Sequence, residues 1–160
     1  MAQSYEELEI WRSSRRLATR VYALAKEQNS LQRDWDLCRQ MRRSAVSVVS
    51  NIAEGFDRGS NKEFLHFLYI AKGSVAELRT QLYLACDLGY VEADTINQLL
   101  REYQVLSRQI GRLIAYLKAS AQVGQTVRDA DEHYSAFPGE VIPPTTLSEA
   151  TSPDHEPSGP

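Results

Sequence analysis

The chain has 160 residues, 42% hydrophobic and 24% charged, with a formal net charge of −3. That describes one small domain with enough apolar residues for a real core. The bulk charge argues for no nucleic-acid partner, and the apolar runs are too short to span a membrane. The N-terminus lacks the charged-then-apolar pattern of a secretory leader, and Cys38 and Cys86 form no CxxC pair. The expectation is a reduced, cytoplasmic protein.

Four helices are predicted in residues 1–120. The first is opened by Ser4 and Glu7, an S-x-x-E capping box, and runs to about Glu27 with Leu8, Trp11, Ala18, Val21 and Ala25 on its apolar side. Gln28 to Gln32 reads as a polar turn. The second helix spans about Arg33 to Glu54, with Cys38, Met41, Ala45, Val48 and Ile52 on one seam. Gly55 and Gly59 bracket the next turn. Ser60 and Glu63 form another capping box for a third helix, whose seam is Phe64, Leu68, Ala71, Val75, Leu78, Leu82 and Ala85. Gly89 is a left-handed stop. A fourth helix starts at Glu92 or Asp94 and carries Ile96, Leu99, Tyr103, Leu106, Ile110, Leu113 and Leu117. Alternating steps of three and four are the pattern of near-antiparallel bundle packing. The fold class is therefore all-α: an up-down-up-down four-helix bundle over 1–120.

Residues 121–160 are of another kind. All six prolines lie at 138–160, and the segment carries one arginine against seven acids. With no helical or strand period and few apolar residues it reads as a disordered acidic tail. Residues 1–120 carry 17 basic and 14 acidic side chains, so the net −3 is +3 on the bundle and −6 on the tail. Tyr134, Phe137, Val141, Ile142 and Leu147 make the tail a candidate cover for a basic face or a docking segment, beside the plainer role of keeping the chain soluble.

The faces opposite the seams carry the functional expectations. On the second helix these are Arg39, Arg43, Ser47, Ser50, Asn51 and Glu54; on the third, His66, Ile70, Gly73, Glu77, Leu84 and Leu88. A helix apolar on two sides needs two partners, and Gly73 suits close approach of another backbone. The expectation is self-association, with Arg43, Asn51, Glu54 and Glu77 forming a polar network where copies meet. Ser47, His66 and Gly73 complete this candidate interface.

The stretch QMRRSAVSVVSNIAEGF at 40–56 and FLHFLYIAKGSVAEL at 64–78 resemble the bacterial four helix bundle protein family, named for genes found in intervening sequences of 23S rRNA. Gln40, Arg42, Arg43, Ser47, Ser50, Asn51, Ile52, Ala53, Glu54 and Gly55 match the first family motif. Phe67, Leu68, Ala71, Gly73, Ser74, Glu77 and Leu78 match the second, and Leu8 to Trp11 resembles the family's opening. Val49 stands where proline is usual, and the acidic tail lies outside the pattern. The resemblance implies a closed bundle, commonly assembled as a homopentamer, with no established enzymatic activity. Related bundles serve diversity-generating retroelements as basic pentameric accessory proteins that contact reverse transcriptase and RNA.

No catalytic constellation emerges from the residues. Glu63 to His66 is a lone E-x-x-H, where a di-metal bundle needs two such elements and further carboxylates. Cys38 sits on an apolar seam, the place of an inert thiol. Gly55 to Gly59 lacks the lysine of a phosphate loop. No cofactor, metal or catalytic residue is expected, and the leading reading is a non-enzymatic interaction module whose main partner is itself. The alternative is a nucleic-acid-binding accessory protein using Arg33, Arg39, Arg42, Arg43, Arg58 and Lys62, or a module for a further protein partner.

Overall fold

A computed structural model describes residues 2–121. The disorder expected of the acidic tail lies outside the described residues. Within them the chain is all-α: a 3-10 turn at Tyr5–Glu7, then α1 (Glu9–Glu27), α2 (Asn29–Arg33), α3 (Trp35–Asp57), α4 (Asn61–Asp87) and α5 (Ala93–Ala121). The four long helices form the antiparallel bundle, with α3 and α4 as a hairpin, α5 against α4, and α1 closing the ring against α3 and α5. The seams read from the sequence make the core. Val21, Met41, Val48, Ile52, Leu68, Leu78, Leu82, Tyr103, Ile110 and Leu117 are essentially without solvent contact. α3 runs unbroken through Val49, where the family pattern has proline.

Three local expectations are corrected. The Ser4 side chain caps nothing, and α1 starts only after an extended Leu8. Glu7 instead accepts the Gln3 amide N–H at 3.0 Å, and Leu8 is buried as a plug for the bundle. The stretch read as a polar turn forms α2, because one fully buried apolar residue, Leu31, anchors it to the core. Gly55 is not a turn residue. It is buried within α3, where a Cβ would stand 2.6 Å from the Phe67 Cβ, so this glycine serves a close approach of two helices.

The expected cap at Ser60 and stop at Gly89 are present, and Asp34 adds a cap beyond those expected. Ser60 Oγ accepts the Glu63 N–H at 3.2 Å and its hydroxyl donates to the Glu63 carboxylate. Asp34 caps α3 by accepting the Leu37 N–H at 3.0 Å. Gly89 has φ +69°, and the N–H groups of Gly89 and Tyr90 donate to Cys86 and Ala85, both at 2.9 Å. That pair of bonds is the Schellman ending, which satisfies carbonyls the helix leaves over.

Candidate functional site

Two surfaces gather the residues singled out by the sequence. The first is the seam between α3 and α4. Asn51 Nδ2 donates to Ser47 O at 2.7 Å and to Ser47 Oγ at 3.0 Å. Ser47 and Ser74 lie Oγ to Oγ at 2.8 Å, and Ser74 Oγ donates to Ile70 O at 3.1 Å. Ser44 donates to Glu77 at 3.4 Å. These bonds form two separate sets within the chain, Asn51–Ser47–Ser74 and Ser44–Glu77, so Asn51 and Glu77 of the expected network each belong to a set that crosses the seam but do not bond to one another. Arg43 and Glu54 stay outside both: Arg43 is exposed and makes no ion pair among the described residues, while Glu54 pairs with Arg58 at 2.7 Å.

Beside this seam the outward face of α4 carries Ile70, Leu84 and Leu88, which are 39%, 47% and 54% exposed. Gly73 lies between them, and a Cβ there would meet no atom within 4 Å. The backbone approach expected at Gly73 is therefore not supplied from within the protomer. His66 is exposed on the same helix, its ring set edge-on to Phe67 with centroids 5.5 Å apart. Among the described residues no group of three or more His, Cys, Asp or Glu side chains is placed to hold a metal ion, and no helix is long and apolar enough to cross a membrane.

The second surface lies where α1 meets the N-terminal half of α3. Tyr22, Trp35, Arg39, Arg42, Arg43 and Val46 line an open groove of about 370 Å³. The Arg39 guanidinium sits 4.8 Å from the Trp35 ring centroid, and that of Arg42 sits 5.4 Å from Tyr22. Cation–π contact holds these guanidinium groups without neutralising them. Among the described residues only Arg39 of these three makes an ion pair, with Asp36 at 3.6 Å on an exposed pair. The Arg42 Nε is buried without a hydrogen-bond partner among the described residues. Arg33 lies round the corner in a cleft of about 630 Å³ with Ser30, Asp34, Trp35, Asp36 and Tyr90, where two acids oppose it.

The six basic residues proposed for nucleic acid do not form one patch. Arg58 is 15 residues from Arg43, about 22 Å along the helix at ~1.5 Å per residue. It lies over Phe67 and is paired with Glu54, at the end of the bundle where Lys62 lies in the first turn of α4. Trp35 and Tyr22, which complete the groove, escape sequence reasoning. Tyr22 and Arg42 are neighbours only across two helices, and Trp35 stands at a helix start, off every seam. Its two arginines at i+4 and i+7 are the signal a sequence reading has available.

The comparisons with known proteins agree with this architecture. A crystal structure of a protein of unknown function from the S23 ribosomal protein family of Bacteroides thetaiotaomicron is similar, with a TM-score of 0.62 and 22% identity over 66% of this chain and 97% of that one. At such identity the likeness concerns the fold. No curated protein matches the sequence. Residues 6–112 match the model of the 23S rRNA-intervening sequence proteins, well over half of the chain. The protein is thus a member of the 23S rRNA-intervening sequence protein family.

Proposed function

We propose that this protein is a non-enzymatic, self-assembling interaction module of the cytoplasm, in which copies meet through the outward face of α4. The observation that carries this reading is the apolar strip Ile70, Leu84 and Leu88 with the open Gly73 among them. It extends about 27 Å along α4 at ~1.5 Å per residue. Exposed apolar side chains gathered on one helix face suit a binding surface, and another copy of the chain is the partner always at hand. A ring of five copies is the assembly that the family resemblance favours.

Light scattering on the full chain tests this. The expected mass is a multiple of 18.1 kDa, falling to 18.1 kDa for Leu84→Arg/Leu88→Arg with helical content retained. A parent chain that scatters at 18.1 kDa at high micromolar concentration overturns the reading.

A second reading, nucleic-acid binding, is favoured by the arginine–aromatic groove between α1 and α3. Three arginines on one turn-and-a-half of α3, two of them held over aromatic rings, suit phosphate contact. Filter binding of labelled RNA against salt tests it: a log–log slope of at least one phosphate contact supports it, and no retention at low salt removes it.

A further inference from the structure

We infer that the groove between α1 and α3 takes single-stranded nucleic acid in particular, with an unpaired base stacked on Trp35 and the flanking phosphates held by Arg39, Arg42 and Arg43. This deepens the nucleic-acid reading and rests on it. The argument starts from what a duplex does not need. Phosphate contact alone requires only charge, and a double helix hides the faces of its bases. Yet Trp35 is 65% exposed, and Tyr22 and Val46 are exposed beside it in the same groove. Bare apolar and aromatic surface set among arginines has no duplex backbone to serve. It suits the flat face of an unstacked base, which aromatic rings bind with little regard to base identity.

The geometry supplies the remaining parts. Arg39 already lies over the Trp35 ring at 4.8 Å, so the indole is held in place at the mouth of the groove. Arg42 is held over Tyr22 by cation–π contact. Arg43, one residue on, is exposed and makes no ion pair among the described residues. Asp36 draws on Arg39 alone. Trp35 also borders the neighbouring cleft, but Asp34 and Asp36 there repel phosphate. The strand therefore leaves Trp35 toward Arg39, Arg42 and Arg43, along the outside of α3.

Fluorescence anisotropy on the full chain tests this, using a labelled oligouridylate, the matching deoxy strand, and a hairpin duplex of equal length. The expected results are tighter binding of single strands than of duplex and a loss of about tenfold for single strands with Trp35→Ala, the size of one lost base stack. Duplex binding should be unchanged by Trp35→Ala and weakened by Arg39→Glu/Arg43→Glu. The ribose and deoxyribose strands tell which sugar the supported site prefers. Equal binding of duplex and single strand, with Trp35→Ala silent, overturns the stacking inference and leaves the nucleic-acid reading standing. No binding of any of the three at low salt overturns both. Binding of a synthetic peptide spanning residues 129–147, with no binding of nucleic acid, assigns the groove to the chain's own acidic segment and overturns both as well.

Discussion

Ser47 donates its hydroxyl proton to Ser74 across the seam between α3 and α4, Oγ to Oγ at 2.8 Å. The direction follows from the neighbours, because Asn51 donates into Ser47 and Ser74 spends its own proton on the Ile70 carbonyl. Each hydroxyl thus has one role in a relay from one helix to the other. Ser47→Ala and Ser74→Ala should each cost about 1 kcal/mol, since either leaves a partner unmet in a half-buried seam. The double variant should cost little more than one single, giving a coupling of about 1 kcal/mol in a urea double-mutant cycle. Strictly additive costs would show that the hydroxyls act independently.

The two helical glycines should respond in opposite ways. Gly55→Ala forces a Cβ to within 2.6 Å of the Phe67 Cβ and 3.0 Å of Phe64 Cδ2, so a loss of about 1–3 kcal/mol is expected. Gly73→Ala meets nothing within the protomer. In the dispersed Leu84→Arg/Leu88→Arg background it should raise stability by up to about 1 kcal/mol through helix propensity. On the proposed self-association through α4, the bulkier Gly73→Met should lower the mass in light scattering. An unchanged mass there counts against α4 as the meeting face.

Tyr103 is fully enclosed, and its hydroxyl has no hydrogen-bond partner among the described residues. Burial pushes its ionisation well above the ordinary value of 10.0, against a smaller opposing pull from Arg20. The folded protein therefore keeps this proton while the unfolded chain releases it. Stability contributed by the neutral phenol is complete below pH 10.0 and falls as pH rises above it, by up to about 1.4 kcal/mol per pH unit. Tyr103→Phe should remove this part of the alkaline slope and, by deleting an unmet hydroxyl, hold or raise stability at neutral pH. Denaturation curves at several pH values above 10.0 check this, and parallel slopes for parent and variant would refute it.

The two capping signals in the sequence also part company. Ser60→Ala removes the acceptor for the Glu63 N–H and should cost about 0.5–2 kcal/mol. Ser4→Ala removes no cap and should stay within about 0.5 kcal/mol. Thermal unfolding of the pair separates them, and equal losses would mean that Ser4 does cap α1 in solution.

That contrast marks how far the sequence is legible. Long seams such as Phe64 to Ala85 repeat their message many times, so helix identity and bundle class survive local errors. Ser4 and Glu7 carry only one turn of information, and burial of Leu8 outweighs it. Leu31 is a lone apolar residue in a polar stretch, too brief to show a period. Gly55 was expected in a turn because glycine permits positive φ, but its use here is the absence of a side chain next to Phe67. The candidate site is read only in part for a related reason. A helical wheel puts Arg43, Asn51 and Glu54 on one face, but how α3 is rotated toward α4 decides which of them meet Ser74 and Glu77. Tyr22 and Arg42 are brought together by tertiary packing alone, which no spacing within one helix records.

The three-residue connection Arg58–Ser60, with Gly59 at φ +72°, joins the most closely packed pair of helices in the bundle. Its consequence is kinetic. Closing so short a loop costs little chain entropy, so the α3–α4 hairpin is the cheapest nucleus available to the chain. Truncating Ile52 or Leu68 should then slow refolding, whereas truncating Val21 in α1 should chiefly hasten unfolding. The order of assembly follows from a turn: the hairpin that bears the apolar strip of α4 forms before the helix that completes the arginine groove.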